Sequence, residues 1–464
     1  MAVGNVLRAA YHTCMIEPMF DISDDPPAGK PSPSLPTQAQ CGLPAEVVEV
    51  WVEQLATYDG PECESDDQGR VRLLRALERL TCAADGLKAD LAADLDASVR
   101  RADQARGIPT ARQGLGVAHE IALARRESPH RGRRHLGLAR ILRQEMPCTR
   151  RAFRAGQITE WKATIVARET ACLSLADRRE VDRRLAGDPA RLAHLENLSE
   201  RRLEATARGL AAELDAAACV LRRRIAESQR RVTLRPAPDT MARLSAELPV
   251  ALGVAIYKSL SDAADSARAA GDPRARGQVM ADTLGDRVLG TTAAVPVMIE
   301  LVVSDEVLLG TREDSAHLTD HGTIPAELAR EIAARAGAAG LARLRRLYRS
   351  PHTGQLVALD SRSRHFHGGL ARFIRLRDQT CRTPWCDAPI RHLDHPEPVT
   401  ADGPTSYDNG QGLCEACNYA KEAAGWRVRS VPGPVHTVEI HTPGGQVRRS
   451  QAPPLPGHVP KPAA

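Results

Sequence analysis

Two close cysteine pairs, Cys381/Cys386 and Cys414/Cys417, constrain this chain more than any other feature of its sequence. The first pair is spaced C-x4-C and the second C-x2-C. Zinc takes four thiolate or imidazole ligands in a tetrahedron, and a close pair on a tight turn pre-forms half of such a site. Pro384, just before Trp385 and Cys386, suits that turn. The segment is therefore expected to close as a small fold stapled by structural zinc, with these four thiolates as ligands. The remaining cysteines (Cys14, Cys41, Cys63, Cys82, Cys148, Cys172 and Cys219) show no motif spacing. Such usage argues against a secreted disulfide scaffold and for a reducing, cytoplasmic setting. No apolar run approaches the roughly 18 residues of a membrane span, so no membrane partner is expected.

The rest of the chain predicts a different architecture. Aromatic residues make up only 3% of the sequence, so any core must come from Ala, Leu, Val and Ile. Residues 23–44 are rich in Pro, Ser and Asp and poor in apolar side chains, which predicts a disordered arm over 1–44. Residues 45–350 predict a helical domain with a few short strands. Leu73, Leu74, Leu77 and Leu80, then Leu87, Leu91 and Leu95, recur at helical spacing. Gly156 marks a turn and Asp215 a helix N-cap. Strands are expected near 231–234 and, as its partner, in MARLSAELP (241–249), over 295–303, and over 354–360. Residues 431–464 are dominated by Pro and Gly and predict a disordered tail. The fold class is thus mainly α with small α+β parts.

Chemistry-bearing residues concentrate between and beside the cysteine pairs. Asp394-His395 offers a hard oxygen ligand next to an imidazole able to act as a general base near neutral pH. Asn418 adds an amide oxygen of the kind magnesium accepts. Neighbouring strand residues face opposite ways, so Asp394 and His395 share a site only if the chain bends there, and Pro396 favours such a bend. Arg372, Arg375 and Lys421 flank the segment and are candidate phosphate contacts, or else a solvated helix face. His392 is expected to be an ordinary surface histidine. The net charge of +5 tilts only slightly toward a polyanionic partner. Arginine clusters at 131–134, 183–184, 222–224 and 230–231 each fit exposed charges balanced by nearby acids, while some portion of the set is expected to contact DNA, since a small finger alone would bind weakly. Asp272, Arg274, Gln278 and Asp282 are candidates either for DNA contact or for a buried polar network.

The motifs RDQTCRTPWC (377–386), LDHPEP (393–398), TSYDNGQGLCEACNYAK (405–421) and GWRV (425–428) resemble the HNH endonuclease superfamily and its ββα-metal finger. That resemblance implies a nuclease finger over 361–430. It makes His395 the base, Asn409 the residue that holds the hairpin so the imidazole points correctly, and Asp394 and Asn418 the ligands of a catalytic Mg2+ or Mn2+ ion. It also implies products with a 5′ phosphate and a 3′ hydroxyl. The sequence departs from the family pattern at Asn418, usually His, and at Pro396, usually β-branched. The helical motifs ITEWKATIV (158–166), LDAAACVLRRR (214–224), DTMARLSAELP (239–249) and GDPRARGQVMADTL (271–284) resemble actinobacterial HNH-signature proteins, mycobacterial repeat-element proteins among them. There a large domain of unknown function precedes the finger. The expected function is a metal-dependent DNA endonuclease with no small-molecule cofactor. The alternative is a catalytically inactive, zinc-stapled DNA-binding protein of a mobile element. The helical domain is also a candidate oligomerisation scaffold.

Overall fold

The computed structural model describes residues 43–57, 66–290, 300–319, 321–338 and 366–455. All but the last two residues of the arm expected over 1–44, the strand over 354–360 and most of the strand over 295–303 lie outside these residues. The chain divides into two compact units, one from Met1–Gln113 with His135–Cys219, the other from Gly114–Arg134 with Val220–Ala464.

The first unit is built from helices. Its longest, Asp67–Ala105, starts where the Asp66 carboxylate accepts the Gly69 N–H at 2.7 Å, satisfying one of the orphan amides of a helix start. The leucine spacing does not mark the stripe this helix buries. Leu74, Leu80 and Leu91 are exposed, whereas Cys82, Gly86, Ala93 and Asp96 are buried. Small residues let another backbone come close, and a Cβ at Gly86 would lie 2.9 Å from the carbonyl oxygen of Phe153. The expected turn at Gly156 is present, at φ 69° and with Arg79 carbonyl oxygen crowding the Cα. The apolar core runs through Ile141, Met146, Phe153, Ile165, Val166, Val181, Leu195 and Leu203. Buried Asp182 ties two of its helices together by accepting from the Cys148 and Thr149 amides and the Thr149 hydroxyl at 2.6–2.8 Å.

In the second unit the expected strand pair forms, with β1 (Arg231–Pro236) antiparallel to β2 (Ala242–Glu247). At the end of the first unit, Asp215 accepts the Ala218 N–H at 2.8 Å, as its N-cap reading requires. Arg274 pairs with Asp272 and Asp282 at 2.7 and 2.6 Å. Those pairs lie toward solvent, so the network expected there is a surface one rather than a buried one. Then come a small sheet in the order β3 (Leu301–Val302), β4 (Ala316–Leu318), β5 (Gly322–Ile324), and the helix Ala326–Ala338.

The segment that carries the cysteine pairs begins with the helix Gly368–Asp378, followed by the antiparallel pair β6 (His392–Asp394) and β7 (Gln411–Leu413) and the helix Glu415–Lys421. The disordered tail expected over 431–464 is a correction. Residues 427–451 form a three-stranded antiparallel sheet of β8 (Arg427–Val431), β9 (Thr437–His441) and β10 (Val447–Gln451). Its Pro and Gly residues are turn residues between strands, and Val438 and Ile440 alternate into a core that strand periodicity dictates. Across the sheet Arg429, Glu439 and Arg449 stand in register, and both arginines bind the Glu439 carboxylate at 2.6–3.0 Å.

The helix Val117–Arg125 is also part of this unit. Its buried Glu120 accepts from the Thr442 hydroxyl at 2.8 Å and the Gly444 N–H at 2.5 Å, in the β9–β10 turn. A Cβ at Gly444 would fall 2.0 Å from that carboxylate, so the turn admits no side chain there. Among the described residues no helix is long and apolar enough to cross a membrane.

Candidate metal centre and hydrolytic site

The four paired cysteines converge. Their sulfurs all lie within 4.8 Å of one another. Cys386 is 3.8 Å from Cys414 and 3.7 Å from Cys417. Ligands at about 2.3 Å from a tetrahedral zinc ion stand about 3.8 Å apart, so the cluster has the dimensions of a zinc site as it stands. The first pair sits on a knuckle closed by Cys386 N–H donating to Thr383 O and Cys381 N–H donating to Ala388 O, both at 3.0 Å. Trp385 takes φ 60° at its tip. Cys414 caps the helix Glu415–Lys421, its sulfur accepting the Cys417 N–H at 3.5 Å. Hydrogen bonds from Cys381, Cys386 and Cys417 push the Cys414 thiol far below its ordinary range. A buried group of four thiols with one so acidified can hold a structural metal such as zinc.

His119 is a neighbour that the sequence did not single out. Burial, then the Arg133 charge, pulls its pKa down to about 4, with Cys414 acting in the opposite sense. Its Nε2 is buried and without a hydrogen-bond partner among the described residues. A lone histidine on a helix so far along the chain carries no spacing signal.

The bend expected after Asp394 is present. Strand β6 ends at Asp394, His395 lies outside it, and bends occupy Pro396 and Glu397. One cation spans the corner: Lys421 Nζ is 2.7 Å from Asp394 Oδ2 and 2.7 Å from the His395 carbonyl oxygen. Gln411, the cross-strand partner of Asp394, donates to the same Oδ2 at 3.1 Å. The His395 ring packs on Phe366 at a centroid distance of 4.4 Å, and its Nε2 meets the Thr405 hydroxyl at 2.9 Å. With that hydroxyl accepting, Nε2 carries the ring proton and Nδ1 is the basic nitrogen. Thr405, Phe366 and Gln411 were invisible in the sequence, since a threonine in a loop and a glutamine in a three-residue strand match no spacing rule.

Asn409 is buried and fully used. Its Oδ1 accepts the Glu397 N–H at 2.9 Å, and its Nδ2 donates to the carbonyls of Glu397 and Pro404 at 2.9 Å. It therefore ties the chain just after His395 to the loop that carries Thr405. Asn418 is half-buried on the same short helix as Lys421, three residues earlier, so helical spacing puts the two on one face. His392 is half-buried on β6 and its ring stands 6.2 Å from that of Tyr419.

The flanking cations are less available than the sequence suggests. Arg372 pairs with Glu300 at 2.7 Å, Arg375 reaches the Ile390 carbonyl at 3.4 Å, and Lys421 is committed to Asp394. The arginine clusters behave likewise: Arg184 pairs with Glu180, Arg223 with Glu227 and Arg231 with Glu247.

The domain of unknown function DUF222 matches residues 72–378, ending just short of Cys381. An uncharacterized protein of Mycobacterium tuberculosis, Rv3776, is 34% identical over 123 residues, which is 25% of this chain and 21% of that protein. The chain thus aligns with about a fifth of that relative's length. No solved structure matches.

Proposed function

This chain belongs to the DUF222 family, and on that premise we propose that its second unit is a metal-dependent DNA endonuclease of the HNH type, in a His-Asn-Asn variant. The observation that carries the proposal is the corner at 394–395, where Lys421 bridges the Asp394 carboxylate and the His395 carbonyl, and Thr405 holds the His395 ring, in the unit that carries the four clustered thiols.

In this reading His395 Nδ1 takes the proton of a water molecule as that water attacks phosphorus, the P–O3′ bond breaks, and the departing 3′ oxygen takes a proton from solvent, giving a 5′ phosphate and a 3′ hydroxyl. Thr405 fixes the tautomer, Phe366 supports the ring, and Asn409 fixes the backbone that carries it. Asp394 and Asn418 offer one carboxylate and one amide oxygen, a donor set that suits Mg2+ or Mn2+ better than zinc. Such an ion, when bound there, would neutralise charge on the scissile phosphate. The cysteines hold zinc as a staple and take no part in the chemistry.

Purified protein with magnesium or manganese is expected to nick or cut plasmid DNA, with ends bearing 5′ phosphates. His395→Ala is expected to abolish cutting while DNA binding persists. Equal inertness of wild type and His395→Ala across magnesium, manganese and nickel would favour the second reading, a non-cutting DNA-binding module. The Lys421–Asp394 ion pair is the observation on that side, because it neutralises the carboxylate that the hydrolytic reading needs.

A further inference from the structure

We propose that Lys421 is the resident counter-ion of Asp394 and that a divalent ion loads onto this carboxylate only by displacing it, so that metal and DNA phosphate bind co-operatively. The proposal rests on the hydrolytic reading above and adds to it how the site is kept quiet and switched on.

The geometry is specific. The ammonium of Lys421 lies 2.7 Å from Asp394 Oδ2 and 2.7 Å from the His395 carbonyl, with Glu422 farther off at 3.5 Å. Its side chain is only 9% exposed and that of Asp394 18%. Two of its three N–H groups therefore serve the two residues that the proposed chemistry uses. An ion pair this secluded forfeits hydration of both partners, and removing that cost with apolar groups is often neutral or stabilising. Such a pair is therefore weak evidence for a purely stabilising role. Lysine suits the part, since its ammonium is a point charge on a flexible four-carbon stem, able to leave one oxygen for another.

A second cation cannot share Oδ2 with an ammonium in contact without strong repulsion. Loading therefore needs Lys421 to move, and an incoming phosphodiester supplies an alternative anion. By linkage, whatever factor DNA adds to metal affinity, the metal adds to DNA affinity. Departure of the ammonium also releases its bond to the His395 carbonyl, while Asn409 keeps the chain just after His395 in place through Glu397 and Pro404.

The test is Mn2+ binding to the zinc-loaded full chain, by calorimetry and by the electron paramagnetic resonance of free Mn2+, without DNA and then with a short duplex. Lys421→Met is expected to tighten Mn2+ binding about tenfold without DNA and to lose most of the enhancement that DNA gives the wild type. Lys421→Gln is expected to behave alike and substitutes if the methionine variant fails to fold, with zinc content as the check. Asp394→Asn is expected to lose the site in every background. Equal Mn2+ affinity in wild type and Lys421→Met, both lost on Asp394→Asn, overturns the displacement and leaves the hydrolytic reading standing. Weaker binding in Lys421→Met also overturns it, making the lysine a structural clamp. No Asp394-dependent Mn2+ binding in any form, with or without DNA, brings down both.

Discussion

Arg377 grips Asp378, its neighbour in sequence, through two nitrogens: Nε lies 2.7 Å from Oδ1 and Nη2 3.1 Å from Oδ2, with both side chains shut off from solvent. The same guanidinium donates to the carbonyls of Tyr407 and Gly410 at 2.7 and 2.6 Å. The same carboxylate accepts the Gly412 N–H at 2.7 Å. One ion pair thus joins the helix Gly368–Asp378 to the loop before β7 and to β7 itself. Asp378→Ala strands a buried cation and is expected to cost about 3–5 kcal/mol. Urea unfolding of the full chain measures this, and a loss below about 1 kcal/mol, the range of exposed pairs, would contradict it.

The thiolate cluster is expected to hold about one zinc ion per chain. Cys414→Ser removes one of the four clustered sulfurs and the helix cap together. Metal content should drop to background and the amides of β6 and β7 should lose protection from hydrogen exchange, since the metal's binding energy is folding energy here. Full zinc retention in the variant would remove the staple.

Thr405 tests the imidazole. Thr405→Val keeps shape but removes the hydroxyl 2.9 Å from His395 Nε2. Loss of the orienting partner of a metal-bound histidine costs about 10–100-fold in affinity or activity, and a loss of that order is expected for this oriented base. Cleavage rate should fall by that much with zinc content unchanged, and Thr405→Ser should restore most of it. A variant as fast as the wild type at all pH values would show that the ring needs no such tether.

His436 sets a pH dependence. Burial, then the Arg377 charge, lowers its pKa to about 4 from 6.5, and its Nε2 donates to the Asp408 carbonyl at 3.1 Å. The unfolded chain takes up this proton as pH falls through 6.5, while the folded chain resists until about 4. Stability must therefore fall as pH drops through that window, by up to about 3 kcal/mol from this group. Denaturant midpoints measured from pH 7 to pH 5 should show a shallower decline in His436→Gln. Parallel slopes in the two proteins would rule out His436 as a contributor.

The sequence disclosed whatever depends on spacing along the chain. C-x4-C with C-x2-C located the four sulfurs, and β-branched alternation located β1. It could not disclose what depends on meetings between distant segments. Thr405 reaches His395 and Lys421 reaches Asp394 only because two short strands and a short helix fold onto one another, and neither contact leaves a periodic trace. The stripe of Cys82, Gly86 and Ala93 failed to register for a related reason. Its burial serves close backbone approach rather than bulk, while the leucines beside it fit the usual apolar pattern and yet are half-buried (Leu73, Leu77, Leu87, Leu95) or exposed (Leu74, Leu80, Leu91). The tail was misread because Pro and Gly mark both disordered chain and the tight corners of a sheet.

Arg382, next to the first zinc-type thiol, is buried and sends Nη2 to the carbonyls of His436 at 3.3 Å and Ser450 at 2.6 Å. The knuckle is thereby roofed by backbone that arrives well after the last cysteine. A minimal recombinant fragment stopped after Val428 would include every sulfur and every proposed reacting group, yet lack the lid that keeps this arginine dry. Cloning boundaries chosen from motifs alone would cut the clasp in half.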